Sequence, residues 1–207
     1  MHPDHASSRV AFRDAATAFV SLVTQIVPEA WEQPALGVWN VRDLVGHTSR
    51  SLTTIETYLG TATAGDELDG PLAYFLAIRA ALADPEAVAQ RGRDAGAALG
   101  DDPVGCVRDL ADRVIALVES SPDDAPVGTP VAPMTLAAYL PTRIFELTVH
   151  SLDLARALSL GTPPGLEAGI RVSCELAGQL AAEAPHAPAA LLALTGRTGL
   201  PDGFTVL

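Results

Sequence analysis

Between its proline and glycine marks the chain repeats apolar residues every three or four positions, and nowhere do they alternate over a length that would make a substantial strand. That period commits the sequence to amphipathic helices, which must bury their apolar stripes against one another. The expected fold is all-α, a four-helix bundle with additional short helices. A first helix is predicted from about Ser8 to Val27, with Phe12, Ala16, Phe19, Val23 and Ile26 on one face and Pro28 closing it. A second opens at WNVRDL. There Asn40 is the N-cap, Asp43 three residues on completes a variant capping box, and Trp39 is placed to pack on Leu44 as a hydrophobic staple. This helix carries His47 and runs to Gly60, whose missing Cβ suits a left-handed cap.

A polar loop, TATAGDELDG, leads to a helix from about Pro71 to Ala83, and Asp84 with Pro85 restarts the chain as another reaching about Leu99. DDPVGCVRDLADRVIALVESS places Val107, Leu110, Val114, Leu117 and Val118 on one side of a further helix. SPDDAPVGTPVAP reads as a flexible loop. Thr135 to Leu160 forms a long helix ended by Gly161, and Pro141 inside it cannot donate to the carbonyl of Ala137, which predicts a kink or restart. A last long helix spans about Pro164 to Ala184, and PAALLALTG adds a short one with Gly196 as its stop. No internal repeat interrupts this series, so residues 1–207 read as a single domain with a short C-terminal extension from about 186.

Composition narrows the chemistry. The 25 acidic and 13 basic side chains give a net charge of -12, a field that repels phosphate backbones and anionic membranes and argues against nucleic acid and membrane as partners. Every basic residue is arginine. The absence of lysine excludes Schiff-base, pyridoxal-phosphate and Walker-type mechanisms, which need an ε-amine. Cys106 and Cys174 lie far apart without a C-x-x-C spacing, so neither a disulfide framework nor a thiolate metal cluster is indicated, and both are expected to be small core hydrophobes. MHPDHASSRVAFRD has no basic n-region or apolar core of a signal peptide, and no apolar run approaches a membrane span, which points to a cytoplasmic protein.

One stretch departs from an ordinary amphipathic helix. In RIFELTVHSLDLARAL, Glu146, His150 and Asp153 share a narrow arc with Tyr139, Arg143 and Ala157, flanked by Ile144, Leu147, Leu154 and Leu158 on one side and Phe145, Val149 and Leu152 on the other. Two readings follow. Glu146, Asp153, Arg143 and Arg156 could form a salt-bridged solvent face with His150 at its edge, and His47 could be a satisfied boundary residue. Or the arc points into the bundle. His47 from one helix and the i, i+4 pair of Glu146 and His150 from another then supply the three nitrogen and oxygen ligands of an open zinc site, with Asp153 accepting from the far ring N–H of His150. His2, His5 and His186 lie in a loose terminus and a proline-flanked turn and are poorer ligands. There is no HExxH, and the two ExxH pairs of a di-iron bundle are absent.

VWNVRDLVGHTSR, with Trp39, Val41, Asp43, Leu44 and His47, and the later E-x-x-x-H-x-x-D-L block of Glu146, His150, Asp153 and Leu154 resemble the mycothiol-dependent maleylpyruvate isomerase family, part of the DinB-like metal-binding helical bundles. The resemblance covers about residues 8 to 185. It implies a DinB-like bundle holding a divalent metal, usually zinc, on His47, Glu146 and His150, with mycothiol as the thiol cofactor. Two neutral imidazoles and a carboxylate leave zinc a net charge of about +1, which favours a thiolate at the open position and spares the protein a nucleophile of its own. The partners implied are a small thiol and a small electrophilic, anionic substrate, with a homodimer left open. Arg143 is best placed to meet an anion, with Arg50 and Arg79 behind it.

Longer members resembling this chain carry a second α/β domain that contributes to the active site, whereas LLALTGRTGLPDGFTVL follows the bundle here. The expectation is therefore a metal site without a fixed reaction: isomerase, thiol transferase, or a non-catalytic bundle that binds a ligand or partner. Arg197 in that segment reads as a surface residue that could fold back to the site.

Overall fold

The computed structural model describes residues 5–62, 64–81 and 84–206, with the side chains of 5, 6, 80 and 81 left aside. Its helices are α1 (His5–Val23), α2 (Val41–Tyr58), α3 (Gly70–Ala81), α4 (Pro85–Ala98), α5 (Pro103–Ser120), α6 (Leu136–Ala157), α7 (Glu167–Ala182) and α8 (Ala187–Leu194). The class is all-α. Helices α1, α2, α5 and α6 form the central four, α1 and α2 each touching both α5 and α6, while α7 packs on α1 and α6 and α4 lies along α2. Phe12, Phe19, Leu44, Leu52, Ile55 and Leu140 fill the space between them, each at most 1% exposed. None of the described helices is long and apolar enough to cross a membrane.

The start of α2 forms as its residues dictate. The Asn40 side chain accepts from the Asp43 amide at 2.8 Å, and the Asp43 carboxylate accepts from the Asn40 amide at 3.4 Å. Trp39 and Leu44 both lie in the buried core, and Trp39 also reaches beyond the start of α2. Its indole lies over Gly92 and donates through Nε1 to the Ala89 carbonyl of α4 at 2.9 Å. Such a close approach needs missing side chains: a Cβ on Gly92 would enter the indole, and one on Gly46 would enter the backbone of Ala95 and Gly96. At the other end of the bundle, the Arg9 guanidinium caps α5 by donating to the Ser121 carbonyl at 2.8 Å and pairing with Asp123 at 2.6 Å.

Several expectations are corrected. The proline-rich crossing is not a loose loop but a hairpin of β3 (Pro126–Gly128) and β4 (Pro133–Thr135), preceded in the chain by a smaller pairing of β1 (Pro34–Leu36) and β2 (Trp39–Asn40). Buried Val127, Thr129 and Met134 hold the hairpin against the bundle, Leu59 bridges Val127 beside it, and Pro126 and Pro133 each stand at the first position of their strand, where proline is tolerated. Helix α6 runs through Pro141 without restarting. Only the Ala137 carbonyl loses its donor there, and the proline ring is itself buried. Its end is set by Ser159 rather than Gly161: Ser159 takes φ 55°, its amide donates to Arg156 O at 3.1 Å and that of Leu160 to Ala155 O at 2.8 Å, a Schellman cap. Both cysteines are exposed, Cys106 on α5 and Cys174 on α7, because each falls outside the apolar stripe of its helix. Thr148, Ser151 and Ala155 face neighbouring helices, where a Cβ on Gly169 of α7 would collide with the Thr148 hydroxyl. The predicted end of the third helix at Ala83, and His2, lie outside the described residues.

Candidate metal centre

The polar arc of α6 points inward. His47 from α2 meets Glu146 and His150 there, and one ligand atom from each lies within 4.8 Å of the others. Side-chain exposure is only 22% for Glu146 and 14% for His150, whereas Arg156, which the outward reading enlisted, stays exposed and apart from the cluster. The solvent-face reading is therefore excluded by the direction of the arc.

His150 is gripped from both sides. Its Nδ1 lies 3.2 Å from Asp153 Oδ2 and its Nε2 3.3 Å from Glu146 Oε2, so Asp153 fixes the ring and turns Nε2 toward Glu146. The ring of His47 meets that of His150 edge-on, centroids 4.9 Å apart, and Trp39 covers its other side. The Nδ1 atom of His47 is buried without a hydrogen-bond partner. Two imidazoles and a carboxylate converging on one point, one imidazole carrying an orphaned nitrogen and the other oriented by a carboxylate, fit a divalent metal of the zinc type.

Electrostatics agree with that donor set. Burial is the main cause that lowers the His47 pKa to about 4, with the charge of His150 adding to it, so this imidazole is neutral at pH 7 and ready to ligate. Burial opposes charge on His150 as well, but hydrogen bonds to Asp153 and Glu146 outweigh it and raise His150 to about 9. For Glu146, burial acts upward and is overcome by the hydrogen bond and charge of His150, with Arg143 behind, which take the carboxyl down to about 2. Without metal the imidazolium of His150 occupies the place of positive charge that an ion would take.

Arg143 stands one turn before Glu146, 7% exposed, and pairs with no carboxylate among the described residues. Its guanidinium donates to Thr142 Oγ1 at 3.0 Å, to Thr54 Oγ1 at 3.4 Å and to the Tyr74 hydroxyl at 3.5 Å, and lies 4.7 Å from the Tyr139 ring centroid. The Tyr139 hydroxyl is buried without a hydrogen-bond partner among the described residues. Burial pushes the Tyr74 phenol up to about 12 against the pull of Arg143, so it remains an O–H donor.

The other expected cations stay away from Arg143. Arg79 is exposed and donates to the Val206 carbonyl at 3.3 Å, Arg197 is exposed and donates to Thr195 O at 3.0 Å, and Arg50 lines a groove between α2 and α4 with Arg91. His186 is exposed ahead of α8. Sequence reasoning missed Trp39, Thr54 and Tyr74 as members of the site. Two signals were present: Thr54 falls seven residues after His47, on the same face of α2, and Gly92-x-x-x-Gly96 marks a helix that admits a large ring or a close neighbour.

The fold is an all-α bundle whose interior brings together two histidines and a glutamate that could hold a metal ion. The profile described as mycothiol maleylpyruvate isomerase N-terminal domain matches residues 12–155, and the chain belongs to that family. No curated protein and no solved structure gives a significant match.

Proposed function

We propose that the protein is a metal-dependent enzyme of thiol chemistry, a transferase or isomerase acting on a small electrophile, with zinc and a low-molecular-weight thiol of the mycothiol type as its cofactors. The convergence of His47, Glu146 and His150 carries the reading, in a family whose description couples this domain to mycothiol. When bound, the ion supplies a Lewis acid of net charge about +1 that lowers the pKa of a thiol at its open position.

The chain's own residues do the rest. Glu146 and His150 form a rigid half of the ligand set on successive turns of α6, and His47 brings the remaining donor from α2. Asp153 holds the proton on His150 Nδ1 and leaves Nε2 as the ligating nitrogen. No side chain is needed as nucleophile, which is consistent with two cysteines on the outer surface. Arg143, a buried cation without a carboxylate partner, orients an anionic second substrate, and the Tyr74 and Tyr139 hydroxyls beside it offer neutral hydrogen bonds.

Calorimetry of zinc-loaded protein with mycothiol, in two buffers of different ionisation enthalpy, tests the proposal. One proton should be released as the thiol binds, and His47→Ala should abolish both binding and release. Arg143→Gln should leave metal content and thiol binding intact and impair only turnover of an anionic electrophile. Zinc-loaded protein that binds no small thiol would make the non-catalytic bundle the better account.

A further inference from the structure

On the opposite face of α6 from the metal centre lies a cavity of about 470 Å³, within the range of small-molecule sites. The separation follows from the helix: Ala137, Ala138 and Pro141 line the cavity, roughly half a turn around α6 from Tyr139, Arg143 and Glu146. Its remaining walls are α7, the beginning of α1 and residues 67–71, of which Gly70 and Pro71 begin α3. That last wall is held by the Leu68 amide, which donates to the Pro133 carbonyl of β4 at 3.0 Å.

The lining has one electrical sense. Leu68, Pro71, Ala138, Val172 and Leu176 give an apolar floor, and Glu67, Asp69 and Glu175 stand around it. No arginine lines the cavity, and none of the three carboxylates is in an ion pair among the described residues. Two further groups are left without partners. Pro141 deprives the Ala137 carbonyl of its helical donor. Ser8, 2% exposed, lines the cavity with a hydroxyl that has no hydrogen-bond partner among the described residues. Among the described residues, three carboxylates outside any ion pair, a carbonyl short of a helical donor and the Ser8 hydroxyl are acceptors open to N–H groups and positive charge.

We propose that this cavity is a second ligand site, independent of the metal centre, which takes a small organic cation: an ammonium group carried on an apolar body of a few carbons. The apolar part rests on the floor between α6 and α7, and the ammonium meets Glu175, Asp69 and the acceptors at the rim. Anions are turned away by the same carboxylates.

n-Hexylammonium is a suitable probe, with hexanoate and 1-hexanol as its anionic and neutral counterparts, followed by amide NMR shifts of the zinc-loaded full chain. Hexylammonium should bind saturably and shift amides of α7 and the first turns of α6. Hexanoate should leave them unmoved, and hexanol should bind more weakly. Glu175→Gln and Asp69→Asn, both at exposed positions where the fold is safe, should each weaken hexylammonium about two- to fivefold and leave metal content unchanged. Equal binding of hexanol and hexylammonium, carboxylate variants that bind as wild type, shifts confined to the residues around His47, or no saturable binding would each overturn the proposal.

Discussion

The indole of Trp39 and the imidazole of His47 lie with centroids 4.3 Å apart at 33°, and the indole is itself tied to α4 through Ala89. His47, a proposed ligand on α2, is thus positioned by a ring that α4 grips. Helix α4 adds no residue to the His47, Glu146 and His150 cluster, yet Gly92 and Gly96 allow the close approach that holds Trp39 and α2 in place.

Trp39→Phe removes the N–H and part of the ring while keeping an aromatic face over His47. It should cost about 1–3 kcal/mol of stability and weaken metal binding by about tenfold, as losses behind a ligand do. Thermal melts and competition with a chromophoric chelator read the two effects separately. Wild-type metal affinity in a destabilised Trp39→Phe protein would remove Trp39 from any positioning role.

His47→Ala, Glu146→Gln and His150→Ala should each strip the protein of stoichiometric metal, measured by elemental analysis of untagged protein. Asp153→Asn should bind about 10–100-fold more weakly. Full metal content in His150→Ala would show that the α6 pair is not the ligand set.

In the metal-free protein the pKa of His150 is raised from 6.5 to about 9 and that of His47 lowered to about 4. A raised His stabilises fully below its unfolded value and loses that contribution as pH climbs through about 9. A lowered His gives the reverse, with stability rising between about 4 and 6.5. Metal-free protein should therefore be most stable near pH 6.5, and the contribution of Glu146, full above its unfolded value, should be lost progressively as pH falls from 4.5 through about 2. Since His150 must give up its proton to ligate, apparent zinc affinity should rise about tenfold per unit between pH 7 and 9, one proton leaving per ion. Urea titrations across pH and a zinc titration at pH 7 and 8 check this. A pH-independent zinc affinity would contradict the assignment of His150.

Gly46→Ala should cost about 1–3 kcal/mol or more, because the new methyl meets the backbone of Ala95 and Gly96, and should loosen the metal site next to it. Gly178→Ala on exposed α7 meets nothing within 4 Å and should stabilise by about 0.5–1 kcal/mol. Chemical denaturation of the pair gives the contrast. Similar effects at both positions would mean that helix propensity, not close approach, governs Gly46.

What the residues disclosed beforehand was whatever depends on neighbours along the chain. The capping box of Asn40 and Asp43, the boundaries of α2 and α5, and the common arc of Glu146, His150 and Asp153 all follow from spacing within a helix. Whether that arc faced solvent or core could not be read from the period, since it lay between two apolar flanks. The family resemblance favoured the inward answer, and the described geometry gives it. The unread part depends on distant partners. The period of α2 shows Trp39 as a local staple but hides its bond to Ala89 and its approach to Gly92, because both sit on another helix. The cysteines looked buried by residue type, and only the packing of α5 and α7 puts them outside. The β3–β4 hairpin is hidden by its prolines, which usually mark loops and here stand at the first position of each short strand, where proline is tolerated.

If His47, Glu146 and His150 hold an ion as proposed, the division of that set between two helices has a kinetic meaning. Glu146 and His150 ride together on one rigid rod, and His47 rides on another, so an ion at their meeting point is a rivet through the seam between α2 and α6. A rivet leaves only when the plates part. Isotope exchange of bound zinc would then serve as a clock for the breathing of the bundle, timing an opening motion that spectroscopy of the folded average does not see.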